Sequence, residues 1–243
     1  MAGTWQYGTG NAFSAYIENI SDYEAGRNRG RWVDFPMEPE RLKDICSGIG
    51  GEEQLAASYE IPAEYGFLVD IVSEYSTPEE LNLTGAMLQG LDGQRLEAVG
   101  AYASAKNLTE LPELMNLMVQ ADDIPYFPYQ FEGIENAGEL SPEEAYGYMK
   151  VGSQMQELQE MLGKHGMEEY LDYEAIGRDA GMNGEAALYD KGYVDMAADG
   201  PDLVLYTMDE LKAEYGMARE TVQDPQKEAQ GMDRQEELRG PSI

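Results

Sequence analysis

The chain offers one histidine, one cysteine and many carboxylates for chemistry. His165 lies between Lys164 and Gly166 at the end of an apolar-periodic stretch. There an imidazole complements the negative end of a helix dipole, and a lone histidine without a cysteine cluster does not build the usual zinc site. Cys46 adjoins the apolar stripe Leu42, Ile45 and Ile49, where a small apolar side chain fits. A single cysteine also excludes an intramolecular disulfide and a Cys-rich metal site. No G-x-S-x-G elbow, Walker loop or Rossmann glycine fingerprint occurs. The stretch Asp195–Gly200 lacks the alternating acids and the closing Glu of a calcium loop and reads as a turn. Adjacent carboxylates such as Asp122 and Asp123, or Glu143 and Glu144, are of the right type for general acid and base work. With 47 acids in the chain, none of these pairs stands out. The residues therefore name no catalytic group, cofactor site or metal site.

What the carboxylates do together is more informative. Against the 47 acids stand 16 basic side chains, a formal net charge of −31 over 243 residues. Such a surface repels nucleic acid phosphates and anionic membranes, and its natural complement is a basic partner. The chain is nevertheless 42% apolar and 10% aromatic, unlike an acidic disordered tail, and it is expected to fold. Residues 1–43 carry six acids and five bases, whereas 44–149 carry 20 acids with only Arg95 and Lys106 in opposition. Residues 150–206 hold twelve acids and four bases, and 207–243 hold nine and five. About a hundred residues without counter-charge repel one another until salt or a cationic partner relieves them. No run reaches the roughly 18 apolar residues of a membrane helix, and the N-terminus resembles no signal peptide, so a cytoplasmic location is expected.

The elements that must position these acids follow from periodicity. Phe13, Ala15 and Ile17 alternate with Ser14, Tyr16 and Glu18, the pattern of a half-buried strand. A Gly- and Asn-containing loop over 21–30 leads to a second strand at Arg31–Phe35. A helix beginning at Pro39 ends at Gly50 and Gly51, and Leu55–Ile61 reads as a third strand. Residues 67–120 read as short helices, opened by the capping box of Thr77, Pro78 and Glu80. The same design at Ser141 precedes a long helix whose buried stripe is Ala145, Tyr148, Gly152, Met155, Leu158 and Leu162, followed by a helix over 167–180. Strands are expected at Ala186–Tyr189, Tyr193–Met196 and Asp202–Tyr206, with turns at Asp190–Gly192 and Asp199–Pro201. Thr207 and Glu210 cap one more helix, and the polar remainder reads as a disordered tail. The fold class is thus α+β, in three small modules arranged as an elongated chain: an N-terminal α+β domain at 12–66, a helical domain at 67–120 and a C-terminal α+β domain at 121–206. A flexible N-terminus at 1–11 and the 207–243 segment flank them.

Duplex DNA presents one negative charge per about 1.7 Å of axis, and proteins that grip it line their grooves with Lys and Arg. Carboxylates at comparable density on a rigid scaffold can fill such a groove, and acids at i, i+3 and i+4 on short helices form ridges suited to it. The acids available for such a surface are Glu52, Glu53, Glu60, Glu64, Asp70, Glu74, Glu79, Glu80, Asp92, Glu97, Glu110, Glu113, Asp122, Asp123, Glu132, Glu135, Glu139, Glu143 and Glu144.

Two motifs sharpen this reading. The run Tyr170-Leu171-Asp172-Tyr173-Glu174-Ala175-Ile176-Gly177-Arg178-Asp179 resembles the Y-[IL]-D-Y-x-A-x-G-R-D signature of the ArdA antirestriction proteins. About 140 residues earlier, Ala15-Tyr16-Ile17 followed by Tyr23, Gly26, Gly30, Trp32 and Asp34 resembles that family's opening strand, loop and strand. The resemblance spans roughly residues 12–206 and departs from the family at Leu55–Glu60, where relatives often carry a W/Y-A-I-H-D-Y run. It implies a curved homodimer joined through the C-terminal domain, and a non-enzymatic DNA mimic that inhibits type I restriction-modification enzymes by binding their methyltransferase core. Within the signature, Tyr170, Leu171, Tyr173 and Ile176 are expected to serve packing and the dimer contact, and Arg178 to pair with Glu174 one turn earlier, beside Asp172 and Asp179. The alternative is an acidic adaptor that shields a basic nucleic-acid-binding protein.

Overall fold

The computed structural model describes residues 10–27, 29–50, 53–131, 137–167 and 170–215. Its chain is mixed α and β, with two three-stranded antiparallel sheets. In the first, β1 (Phe13–Asn19) lies between β2 (Gly30–Phe35) and β3 (Gln54–Glu60). The expected half-buried alternation of β1 does not hold: Ser14 and Glu18 are buried along with Phe13, Ala15 and Ile17, with side chains of the flanking strands on either side. Ser14 donates to Asp34 at 2.7 Å, while the buried Glu18 Oε1 has no hydrogen-bond partner among the described residues. The loop expected at 21–30 opens with a short helix, α1 (Ile20–Glu24), because Asn19 accepts from the Asp22 N–H and caps it. Helix α2 (Pro39–Ile49) stops where Gly50 takes φ 80°, a conformation that favours glycine.

Helices α3 (Pro78–Gly90), α4 (Gly93–Ala105) and α5 (Leu111–Val119) follow as the composition predicts. Both arms of the Thr77 capping box form, at 3.3 Å and 3.0 Å. Eight successive residues of α3, Leu81 to Leu88, are buried. A helix apolar on all sides belongs in a core, and this one sits between the first sheet and α5. Buried Asn82 ties it to the chain after β2 through both the N–H and the C=O of Met37. A contiguous set of buried side chains runs from Ala12 through these helices to Tyr126, Val194 and Leu211.

The C-terminal part departs from expectation at three points. The long helix is two helices, α6 (Pro142–Gln154) and α7 (Gln156–His165), broken at Met155 with φ −123° and ψ 34°. Its buried residues are Ala145, Tyr146, Gly147 and Val151, while Gly152 and Met155 are exposed and α7 buries nothing. Helix α8 spans Tyr173–Met182 rather than beginning at 167, because the Asp172 carboxylate accepts from the Ala175 N–H and sets the start there. The second sheet has the expected three strands but not the expected third member. Strands β5 (Ala186–Leu188) and β6 (Gly192–Asp195) pair as a hairpin, and β6 pairs on its other side with β4 (Tyr126–Pro128). Residues 202–206 are instead held by side-chain amides of α5 and the residue after it. Asn116 exchanges two hydrogen bonds with the Tyr206 backbone, and Gln120 does the same with Asp202. The backbone N–H and C=O of Asp202 and Tyr206 are thus satisfied without a neighbouring strand. Helix α9 (Met208–Tyr215) starts at Thr207, whose hydroxyl and N–H both engage Glu210, as expected. The tail expected to be disordered lies outside the described residues beyond 215, and so does the N-terminus, expected to be flexible, up to residue 9.

Candidate protein-binding surface

The acidic surface is organised by helix N-termini. Glu79 and Glu80 occupy the first turn of α3, Asp92 caps α4, Glu110 and Glu113 open α5, and Glu143 and Glu144 open α6. Exposed N–H groups and the positive end of the helix dipole stabilise a carboxylate there by about 0.3–1 kcal/mol. This placement offsets part of the self-repulsion that the composition predicts. Asp122 and Asp123 sit in a 3₁₀ turn, Glu64 and Asp70 in the 3₁₀ helix at 63–70, and Glu139 in another at 137–139. Glu53 and Glu60 flank and end β3, and Glu74 lies in the turn before α3.

Of the acids singled out from sequence, Glu52, Glu132 and Glu135 lie outside the described residues. None of the remainder is buried; Glu80, Glu97, Glu113, Glu143 and Glu144 are half-covered and the rest are exposed. Four are committed to structural partners. Glu80 completes the α3 cap and receives Lys212 of α9 at 3.2 Å. Glu97 pairs with Lys191 of the β5–β6 hairpin. Asp92 caps Arg95, and Asp122 accepts both Arg95 Nε at 2.7 Å and Nη2 at 2.9 Å. The Arg95 guanidinium holds the Asp122 carboxyl below its ordinary range. No ion pair forms at Glu53, Glu60, Glu64, Asp70, Glu74 or Glu79 among the described residues. Burial pushes the phenols of Tyr59 and Tyr126 up to about 12, so the surface charge near neutrality is carried by carboxylates.

The signature segment has a structural explanation of its own. Tyr173 stacks on Tyr148 of α6 with ring centroids 3.7 Å apart, and Arg178 donates to Glu174 at 3.2 Å as expected. Its glycine is what the periodicity missed. A methyl group on Gly177 would collide with the Glu143 backbone of α6, and one on Gly147 would collide with the Tyr173 backbone of α8. The two helices cross with backbone against backbone through this reciprocal pair. The stripe expected from periodicity held Gly152, which faces open space, rather than Gly147, so the available sequence signal was the glycine of the signature alone. Tyr170 is 74% exposed, Leu171 and Ile176 are half-buried, and Asp179 is exposed.

Among the described residues, no group of three or more His, Cys, Asp or Glu side chains is placed to hold a metal ion, and no helix is long and apolar enough to cross a membrane. His165 occupies the last turn of α7, closed by Gly166 in the left-handed conformation. Burial, then the nearby Glu79 charge, pushes the Cys46 thiol up, which opposes its action as a nucleophile.

No curated protein matches the chain significantly. The family model described as antirestriction protein (ArdA) matches residues 15–195, about three quarters of the chain, and takes in both motifs, the first sheet and the α6–α8 crossing. The chain belongs to the ArdA family of antirestriction proteins.

Proposed function

We propose that this antirestriction protein stands in for duplex DNA in the groove of a type I restriction-modification enzyme, binding its methyltransferase core without catalysing a reaction. The observation that carries the reading is the series of exposed and half-covered carboxylates, many of them at helix N-termini and opposed by few cations, that runs from Glu53 to Glu144. Each carboxylate replaces one phosphate contact, and binding releases counterions as DNA binding does. The protein acts in the cytoplasm, needs no cofactor and uses neither nucleic acid nor membrane as a partner. Two copies join through the C-terminal region. Tyr170, Met182 and Met161 are exposed there, and α7 carries Leu158 and Leu162 without burying any residue. A dimer doubles the length of duplex imitated and strengthens binding by engaging both halves of the target.

The test is competition. Inhibition of restriction is expected to weaken with salt and with added duplex DNA. Converting about eight of the unpaired and half-paired acids between Glu53 and Glu144 to amides is expected to weaken it at least about a hundredfold, each change alone costing little. Unaltered restriction, together with capture of a basic nucleic-acid-binding protein, favours the adaptor reading instead. Tyr170→Glu is expected to halve the mass seen by light scattering, and a folded variant that stays dimeric removes Tyr170 from the contact.

A further inference from the structure

One cavity is unlike the rest of the acidic surface. It measures about 520 Å³ and opens between α1, the start of β3 and the N-terminus of α3. Its apolar lining is Ile20, Leu55 and Pro78, all buried or half-buried. At its mouth stand two aromatic rings, Tyr23 at 48% exposure and Tyr75 at 83%. Among the described residues, four carboxylates line it, from Glu24, Glu53, Glu74 and Glu79, and no Lys or Arg does. None of the four enters an ion pair among the described residues. Glu74, through a side-chain hydrogen bond and its charge, pushes the Tyr75 phenol up.

A flat field of phosphate mimics has no use for an apolar concavity, and the exposed ring face of Tyr75 gains nothing from water contact. Apolar walls, two rings and carboxylates free of ion pairs together are complementary to a guanidinium on an aliphatic stem. The stem covers apolar surface, the planar cation stacks on an aromatic face, and its fork of donors matches carboxylate oxygens. An ammonium is more strongly hydrated and lacks the fork, so it fits less well. We infer that this cavity captures an arginine side chain projecting from the DNA-binding groove of the inhibited enzyme. The inference rests on the DNA-mimic reading and adds to it a localised anchor that DNA itself does not offer.

The probe is blocked arginine, N-acetyl-arginine methylamide, titrated into the full chain while the ring signals of Tyr23 and Tyr75 are followed by NMR. Saturable shifts at both rings are expected, with blocked lysine binding several-fold more weakly and the uncharged blocked citrulline not binding. Tyr75→Ala, which removes no charge, and Glu74→Gln with Glu79→Gln are each expected to weaken arginine binding about tenfold. Glu60→Gln with Glu64→Gln removes two unpaired acids that do not share the four-carboxylate rim and is expected to leave binding unchanged. Shifts that never saturate, or that fall equally in the Glu60 and Glu64 variant, mean that the whole acidic field attracts the probe and overturn the inference. Tyr75 signals that move on diluting the chain alone place a second copy in the cavity and also overturn it. In the restriction assay Tyr75→Ala is expected to weaken inhibition at least about fivefold. A full-strength Tyr75→Ala variant alongside a weak multi-amide variant discards the anchor and keeps the mimic, whereas a full-strength multi-amide variant discards the mimic.

Discussion

The α3–α5 block and the α6–α8 pair both pack short, acid-bearing helices, but they join them by different means. In the block, side chains fill the space: Leu81, Met87, Leu88, Leu114, Met115 and Leu117 are fully buried. In the pair the backbones touch, because Gly147 and Gly177 each leave room for the other helix's main chain. The consequence extends to what is left exposed. The block buries α3 nearly all round and keeps most of its acids near helix starts, while α7, next to the pair, buries no residue at all. Side-chain packing makes a scaffold that tolerates charge at its rim. Close backbone packing leaves apolar side chains free for another contact.

Truncation in the block gives the largest expected effect. Leu114→Ala is expected to cost about 3–4 kcal/mol in urea unfolding, the usual sum of lost transfer energy and a residual cavity. Leu162→Ala in α7 is expected to cost less than about 1 kcal/mol, since that side chain is only half-buried. Equal losses at the two sites would mean that α7 is covered in solution, by a second copy or otherwise, and would erase the contrast.

Enlargement reverses the ranking. Gly177→Ala puts a methyl group into the Glu143 backbone and is expected to cost about 2–3 kcal/mol, the overpacking range, with a lowered melting temperature. Gly152, in the same α6 as Gly147, faces open space, so Gly152→Ala is expected to stabilise by about 0.5–1 kcal/mol through helix propensity. A neutral Gly177→Ala would show that the helices separate at little cost and that the pair is not joined through its backbones.

The same contrast decides how much was legible in the sequence. The helices of the block were readable because caps and side-chain periodicity are local: Thr77 and Glu80 announce α3, and Leu111, Met115 and Met118 share a face. The first sheet was readable in its strands but not in its burial, since order β2-β1-β3 is a long-range property and brings Asp34 against Ser14 and Gly30 against Glu18. The long helix and the last strand were misread for the same reason. Nothing near Met155 in sequence says that α6 packs on α8, and nothing near 202–206 says that Asn116 and Gln120 will satisfy its backbone. Of the surface, the identity of the acids was plain. Their commitments were not, because Lys191 and Lys212 reach Glu97 and Glu80 from more than 90 residues away.

Salt separates the paired acids from the unpaired ones. Around the block, Glu80, Glu97 and Asp122 have cations within reach, while Glu60, Glu64, Asp70, Glu74 and Glu79 have none among the described residues. Raising ionic strength shortens the Debye length from about 30 Å at 0.01 M to about 8 Å at 0.15 M and screens the unpaired set. The melting temperature is therefore expected to rise with salt by roughly 3 °C, about 1 kcal/mol in a domain of this size. A melting temperature that falls with salt would make the ion pairs, rather than the repulsion, the dominant charge effect.

The smallest effect tests one pair at the edge of the block. Arg95 bridges Asp92 and Asp122, and through its hydrogen bonds holds the Asp122 carboxyl below the ordinary range. A group whose folded pKa is depressed stabilises the fold above its unfolded pKa, about 3.9 for aspartate, and loses that contribution as pH falls through the folded value. Asp122→Asn is accordingly expected to lower the melting temperature slightly at pH 7 and to match the parent once the pH is well below 3.9. Both partners are exposed, so the difference at pH 7 is small. Asp123→Asn, with no ion pair among the described residues, is expected to shift neither curve. For inhibition the order is the same. Losing Asp122 also uncovers the Arg95 cation on a surface meant to be negative, yet neither change alone is expected to exceed about twofold where many carboxylates act together. A pH-independent deficit in Asp122→Asn would assign the loss to the shape of the 3₁₀ turn rather than to charge, and a large loss of inhibition from Asp123→Asn alone would replace the collective surface with a localised contact.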